Sequence, residues 1–410
     1  MFHLLLSENL TSLSRRVLIR NEYRQIHHTC KILVIGGGTA GCSMAAKLSR
    51  KLDKPNQIIV LEPSDKAKWL KASVVEFQPD ANKILTHHGD TIQYDIMIVA
   101  LGLQLYWDKI PGLTKGLYDP DAQVCSIYGS DTVPQVYQKM KKIKSGTAIF
   151  TFPNTPVKCP GAPQKIAYIA EDYFRKHNLR NNIDVVYNTA LPVIFGVKKY
   201  ANSLWNVCKE RDITVNLQTN LVKIDLNKKQ ATFEKLNSSG ETSVQDYSFL
   251  HVTPPMGPPT VLKEHPILTN EVGFLCVDPK TLRHTRYSNI FGIGDCTNTP
   301  NSKTMAAIAA QGKVLYQNIK DDLAGKPMTM VYDGYASCPL VTGYGKCILA
   351  EFDYNLQPKE TFPVNQGKEL YFMFILKKYI FPFIYWHLML RGYWNGPEFF
   401  RKFTKLLKTD

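Results

Sequence analysis

Residues 31–41 read KILVIGGGTAG, a short apolar run that breaks into glycines. Lys31–Ile35 has the composition of a buried strand, and the residues after Gly38 have that of a helix running to about Leu52. Gly36, Gly38 and Gly41 fit G-x-G-x-x-G in that strand-to-helix context. Gly36 permits the tight turn. Gly38 lets backbone N–H groups approach a pyrophosphate at the positive end of the helix. Gly41 lets helix and strand pack closely. A second apolar strand, residues 58–62, ends in Glu62, 21 residues past Gly41, where a carboxylate accepts bonds from ribose hydroxyls. Strand, turn, helix, strand and acid together predict a dinucleotide site.

The pattern recurs along the chain. Residues 95–101 (DIMIVAL) are a third buried strand. Residues 147–152 (TAIFTF) open a second unit, with a helix from about Pro163 to Lys176 and a strand at residues 183–187. Residues 289–294 (NIFGIG) are another buried strand, followed by a helix. Alternating apolar strands and helices predict an α/β protein with parallel sheets. The proline-rich HVTPPMGPP, 251–259, reads as a crossing between units.

A run ending in Gly294-Asp295 resembles the distal motif of the two-dinucleotide-domain flavoproteins, where the aspartate bonds the ribityl chain or pyrophosphate. Ala100-Leu101-Gly102 resembles the middle motif of that class. The resemblance implies FAD, with Gly102 and Asp295 added to the site, and two Rossmann-like domains of the flavoprotein disulfide reductase type. The expected organisation is 1–29 a leader, 30–145 and 263–326 an FAD-binding domain, 146–262 a second Rossmann-like domain, and 327–410 a C-terminal membrane-associating region.

The second unit lacks a nucleotide cradle. Its turn, PNTPVKCPGAPQ at 153–164, holds one glycine, four prolines and Cys159. Proline has no N–H to offer a phosphate. The next strand ends in Asn188-Thr189, with no ribose acid. Cys159 precedes a helix start, where the dipole favours thiolate, and Lys158 adds positive charge. Cys338, in YASCPLVTG, also precedes a proline, which predicts an exposed turn. Lys303, in SKT before a helix, is a candidate cation for the flavin edge.

Nine cysteines, an odd number with no C-x-x-C pair, describe neither a disulfide scaffold nor a metal site. Lysine and arginine total 50 against 35 acids, net +15. That balance points to an anionic surface. Residues 371–390, YFMFILKKYIFPFIYWHLML, place aromatic bulk beside cations, and the last forty residues carry net +5. The longest uncharged stretch there is too short to span a bilayer, so a helix lying in the membrane interface is expected rather than nucleic-acid binding. Residues 1–29 carry Arg15, Arg16, Arg20 and Arg24 against Glu8 and Glu22, an acid-poor composition resembling a mitochondrial transit segment.

The strings 151–165 (TFPNTPVKCPGAPQK), 194–201 (IFGVKKYA), 251–259, 289–304, 332–344 (YDGYASCPLVTGY) and 390–397 (LRGYWNGP) resemble the eukaryotic mitochondrial sulfide:quinone oxidoreductases. The resemblance covers about Lys31 to Lys402. It implies that Cys159 and Cys338 are a redox pair carrying sulfane sulfur beside FAD. Hydrogen sulfide would attack the bridged pair. Electrons would pass through the flavin to ubiquinone, and sulfur to an acceptor such as glutathione or sulfite, on the matrix face of the inner membrane. The chain departs from that pattern after Glu62, where only twelve residues precede Val75 and the longer loop of the family is cut short. That predicts a reduced flavin cover. Two alternatives stand beside this reading: a type II NADH:quinone oxidoreductase, and a non-catalytic flavoprotein-like scaffold.

Overall fold

The computed structural model describes residues 26–50, 57–62, 70–238 and 240–406. The leader assigned to 1–29 lies mostly outside the described residues, but the first strand begins at His27 and so takes up the last residues of that stretch.

His27–Ile35 runs parallel to Ile58–Leu61 on one side and to Thr91–Val99 on the other. Thr91–Val99 is long enough to serve two partners along its far edge. Lys83–Thr86 pairs antiparallel with its start, and Ile290–Gly292 pairs parallel with its end. This sheet is covered on both faces, which is why its strands read as continuous apolar runs. Ile32, Val34 and Ile98 meet Met44, Val314 and Leu315 from the helices Thr39–Ser49 and Met305–Leu323. Leu33, Ile35, Met97 and Val99 meet Leu262, Leu275 and Val277 on the opposite face.

A second sheet is wholly parallel, in the order Ile213–Asn216, Ile183–Thr189, Gly146–Phe152, Phe249–His251, Val124–Cys125. The helix Ala162–Lys176 follows its central strand and buries Ala167, Ala170 and Phe174. The proline-rich crossing opens inside this sheet at Phe249–His251. It then pairs Met256–Gly257 antiparallel with Gln104–Leu105, strapping the two units together.

The hairpin Ala336–Gly343 and Lys346–Phe352 packs against the helix Ala162–Lys176. Cys338 therefore lies inside a buried strand, not at the exposed turn its Cys-Pro dipeptide predicted. The strand has only one hydrogen-bonded neighbour. Proline at an edge strand sacrifices no ladder bond, which resolves the discrepancy.

The tail is helical from Tyr371 to Met389. It widens into π-helical turns at Leu376–Ile380 and Ile384–Met389, on either side of the segment containing Pro382. Proline inside a helix removes a backbone donor and crowds the preceding turn, and wider turns relieve that crowding. Met373 and Leu376 dock on Cys347 and Leu349 of the hairpin. Among the described residues no helix is long and apolar enough to cross a membrane.

Candidate active site

A cavity of about 430 Å³ opens at the carboxyl ends of the first sheet. Gly36, Gly38, Glu62, Gly102 and Asp295 line it, as do Thr39 and Ala40 at the helix N-terminus. Five of the seven proposed cofactor residues are thus brought together. Gly36 takes φ +104°, and a Cβ there would lie 2.5 Å from the Ala100 carbonyl oxygen. Gly41 lies behind the wall, where a Cβ would overlap the Gly36 carbonyl oxygen, so its role is packing. A Cβ at Gly38 would meet nothing within 4 Å. That opening faces the cavity at a helix N-terminus carrying no side-chain cap, the arrangement that receives a pyrophosphate. The Glu62 carboxylate accepts the Gly37 amide at 2.6 Å, which sets it at the rim of the turn. These residues fit a flavin dinucleotide.

Asp295 is half-buried there, and loss of solvent raises its carboxyl to about 6 against the opposing charges of Lys303 and Lys158. Lys303 does not line the cavity. Its ammonium donates to the Thr297 and Thr299 carbonyls, at 2.7 and 3.1 Å, and its own carbonyl accepts the Cys159 amide at 2.7 Å. It staples the Cys159 turn to the Thr297–Thr299 loop. The expected shortening of the cover falls on residues 63–69, which lie outside the described residues. Beyond them, Leu70 bridges to Leu61, and Ala72, Ser73 and Val74 form part of the cavity wall.

The two cysteines come from distant segments and touch. The neighbouring Cys338 thiol is the largest influence holding Cys159 well below the usual thiol range. Burial works against it. Lys165 assists, donating to the Cys159 sulfur at 3.3 Å. Cys338 is raised, first by holding the proton of the shared bond and then by burial. Lys377 of the tail helix adds positive charge at the same thiol. A Cβ at position 161 would overlap the Cys338 sulfur, so Gly161 is what allows the hairpin to approach. Cys159 itself takes φ +52°, a left-handed turn held by its amide bond to Lys303 and by its carbonyl bond from Ala162.

The sequence reading named Lys158 as the supporting cation. Lys158 instead faces Asp295, and Lys165 and Lys377 face the thiol. Lys165 could have been found: it sits one turn into the helix that Cys159 precedes, on a side facing back over that turn. Nothing local marks Lys377, since its approach depends on how the tail docks. Tyr128 also went unnoticed. Its buried hydroxyl points at the Cys159 carbonyl at 3.5 Å. The tail reaches the cofactor cavity too, where the Tyr385 hydroxyl lies 3.0 Å from the Thr39 hydroxyl. Among the described residues no group of histidines, cysteines and acids is arranged to hold a metal ion.

A glycine-turn cavity on one sheet, with a second parallel sheet whose central strand leads into the Cys159 turn and a hairpin that brings Cys338 to it, defines a two-dinucleotide-domain flavoprotein of the disulfide reductase type. No family model matches the chain. Comparison with known proteins narrows the class. A mitochondrial sulfide:quinone oxidoreductase of Mus musculus is 44% identical over 407 residues, covering 92% of this chain and 90% of its own length. One of Dictyostelium discoideum is 40% identical over 409 residues, covering 92% and 89%. The chain belongs to the mitochondrial sulfide:quinone oxidoreductase family. The same fold occurs in the Aquifex aeolicus sulfide:quinone oxidoreductase, with a TM-score of 0.71 at 19% identity over 93% of this chain and 95% of that one. It also occurs in a chain of the Tetrahymena thermophila mitochondrial ATP synthase structure, with a TM-score of 0.77 at 21% identity over 90% and 98%.

Proposed function

We infer that this chain oxidises hydrogen sulfide at the Cys159–Cys338 pair and delivers the electrons to ubiquinone at a membrane surface. The observation that carries the reading is geometric: Cys159 and Cys338, from distant segments, meet at one site where Gly161 admits the Cys338 sulfur and the Lys165 ammonium lies 3.3 Å from the Cys159 sulfur. A thiolate attacks sulfur and its partner supplies or accepts the proton, so the pair can hold sulfane sulfur and pass through a persulfide. Sulfide attack on the sulfur-bridged pair leaves a persulfide on one cysteine and an anionic sulfur on the other. The Lys165 and Lys377 charges stabilise that anion. The Lys303 and Ala162 backbone bonds keep the Cys159 turn fixed while sulfur is gained and lost. The persulfide sulfur leaves to a small acceptor such as glutathione or sulfite.

FAD suits the cavity because its lining joins the glycine turn and Glu62 to Gly102 and Asp295, the residue types that hold the two ends of a dinucleotide. Gly36, Gly38 and the Thr39 helix terminus would hold its pyrophosphate, Glu62 a ribose, and Asp295 the ribityl or pyrophosphate region. When bound, the flavin supplies a two-electron acceptor between sulfur and quinone.

We place the chain peripherally on the matrix side of the inner mitochondrial membrane, and of that placement the tail supports the contact with a membrane surface. It exposes Tyr379, Phe383, Trp386, Phe399, Phe400 and Phe403 together with Lys378 and Lys402. Aromatic side chains among cations suit an interfacial helix, where an apolar quinone can enter from lipid. The NADH alternative is opposed by the turn at 153–161, which carries the reactive thiol where a nucleotide would need amides.

An absorption spectrum of the purified protein tests the reading. Oxidised flavin bands should bleach with sulfide and ignore NADH. Cys159→Ser and Cys338→Ser should keep the flavin and lose the sulfide response. A Cys338→Ser protein that bleaches at the wild-type rate would remove the mechanism.

A further inference from the structure

The tail touches the helix Thr39–Ser49, whose N-terminus faces the cofactor cavity, at both of its ends. At the N-terminus the Tyr385 hydroxyl lies 3.0 Å from the Thr39 hydroxyl. Thr39 lines the cavity and Tyr385 does not, so Tyr385 reaches the site through Thr39. Tyr385 sits in the π-helical turn Ile384–Met389, and widened turns of this kind recur at functional sites.

At the other end the loop at 391–395 lies against the same helix. Lys47 is 5% exposed, and its ammonium donates to the Trp394 carbonyl at 3.3 Å and to the Asn395 side chain. A buried ammonium requires acceptors, and these two belong to the tail. Arg50 donates to the Arg391 carbonyl and, at 2.7 Å, to the Gly392 carbonyl. Its guanidinium covers the Tyr393 ring, 4.3 Å from the centroid. Gly392 takes φ +72°, and a Cβ there would come within 2.8 Å of the Lys47 backbone nitrogen. Loop and helix are thus in direct backbone contact.

Eleven residues make a helix about 16 Å long. A tilt of about 5° at the Lys47 end moves the Thr39 end by about 1.4 Å, enough to carry an amide out of hydrogen-bond range of a pyrophosphate oxygen. We propose that the tail is a working part of the flavin site: it grips the glycine-turn helix at both ends, with Tyr385 as a positioning residue acting through Thr39, so that flavin retention and tail docking are linked. This rests on the flavin reading above. Linkage is reciprocal: tail docking steadies the helix for the flavin, and flavin binding steadies it for the tail.

The test uses the full-length, flavin-loaded protein and follows flavin fluorescence as the cofactor leaves below the unfolding temperature. Tyr385→Phe, which deletes one hydroxyl at the near end, and Arg50→Gln, which loosens the far end, should each speed release about three- to tenfold. The thermal midpoint of flavin-free Tyr385→Phe should equal that of the wild type, which a merely structural contact would not allow. Thr39→Ser should release flavin at the wild-type rate and Thr39→Val faster. In the Thr39→Val background Tyr385→Phe should add nothing, because the two hydroxyls act as one unit. A second measurement needs no variant. Stripping flavin from the wild type should speed tryptic cleavage after Lys377, Lys378 and Arg391 about threefold or more, while cleavage after the exposed Lys228 and Lys229 keeps its rate. A wild-type release rate in Tyr385→Phe or in Arg50→Gln, additive effects of Tyr385→Phe and Thr39→Val, or tail cleavage indifferent to flavin overturns the grip and leaves the flavin reading standing. Purified wild-type protein that neither carries nor takes up flavin overturns both.

Discussion

The Lys165 ammonium donates to the Cys159 sulfur across 3.3 Å, inside a pocket that also holds Cys338. The contact ties the first turn of the helix Ala162–Lys176 to the loop that precedes it. Replacing Lys165 with Met removes the nearest cation from a buried anion. Cys159 has its pKa held low, so its thiolate persists as pH falls and is lost only when pH passes below that lowered value. In Lys165→Met this acid limb should move upward, so that alkylation is slowed on the acid side of the profile. The pH profile of iodoacetamide modification measures it. An unmoved profile would show that Cys338 alone holds the thiolate.

Gly38 and Gly41 should respond oppositely to alanine. At Gly41 the added methyl overlaps the Gly36 carbonyl, so Gly41→Ala should lower stability by about 1–3 kcal/mol or more. At Gly38 the methyl enters open cavity, so the flavin-free fold should keep its midpoint while flavin content falls. Denaturant unfolding and the ratio of flavin to protein absorbance separate the two. Equal loss of stability in both variants would contradict the assigned roles.

Asp295 gives a pH signature in protein stripped of flavin. Its folded-state pKa, raised to about 6 by burial, lies above its ordinary 3.8. The neutral acid is therefore favoured by folding. The associated stability is present below about pH 4 and is lost as pH rises to 6. Asp295→Asn should flatten this dependence. Thermal midpoints taken across pH 4–7 would show the difference, and identical slopes in both proteins would refute it.

Trp386 is 62% exposed and Phe399 is 76% exposed, on separate helices of the tail. Changing Phe383, Trp386, Phe399 and Phe403 to serine removes apolar area without touching the docking residues Met373 and Leu376. Co-flotation with liposomes should fall at least tenfold with the thermal midpoint unchanged. Undiminished flotation would place the membrane contact elsewhere.

Much of the molecule was readable in one dimension because its signals are local. KILVIGGGTAG needs only its neighbours to become a strand, a turn and a helix, and Glu62 needs only to end the next strand. The two Cys-Pro dipeptides were legible as special positions. Their settings were not equally legible: Cys159 does sit at a turn before a helix, whereas Cys338 became a buried strand residue because proline is harmless at an edge. Lys303 matched a motif position, and that its ammonium donates to the Thr297 and Thr299 carbonyls was decided by the folding of the loop.

The chain order of glycines, strands and cysteines by itself determined the doubly built α/β architecture, the position of the dinucleotide turn and the missing nucleotide cradle in the second unit. Periodicity and backbone chemistry act over a few residues, and a sequence records them directly. Which cations reach the thiol was decided only in three dimensions. Lys165 arrives by the pitch of one helix. Lys377 arrives by docking of a tail more than two hundred residues away, and burial there converts an ordinary surface charge into chemistry.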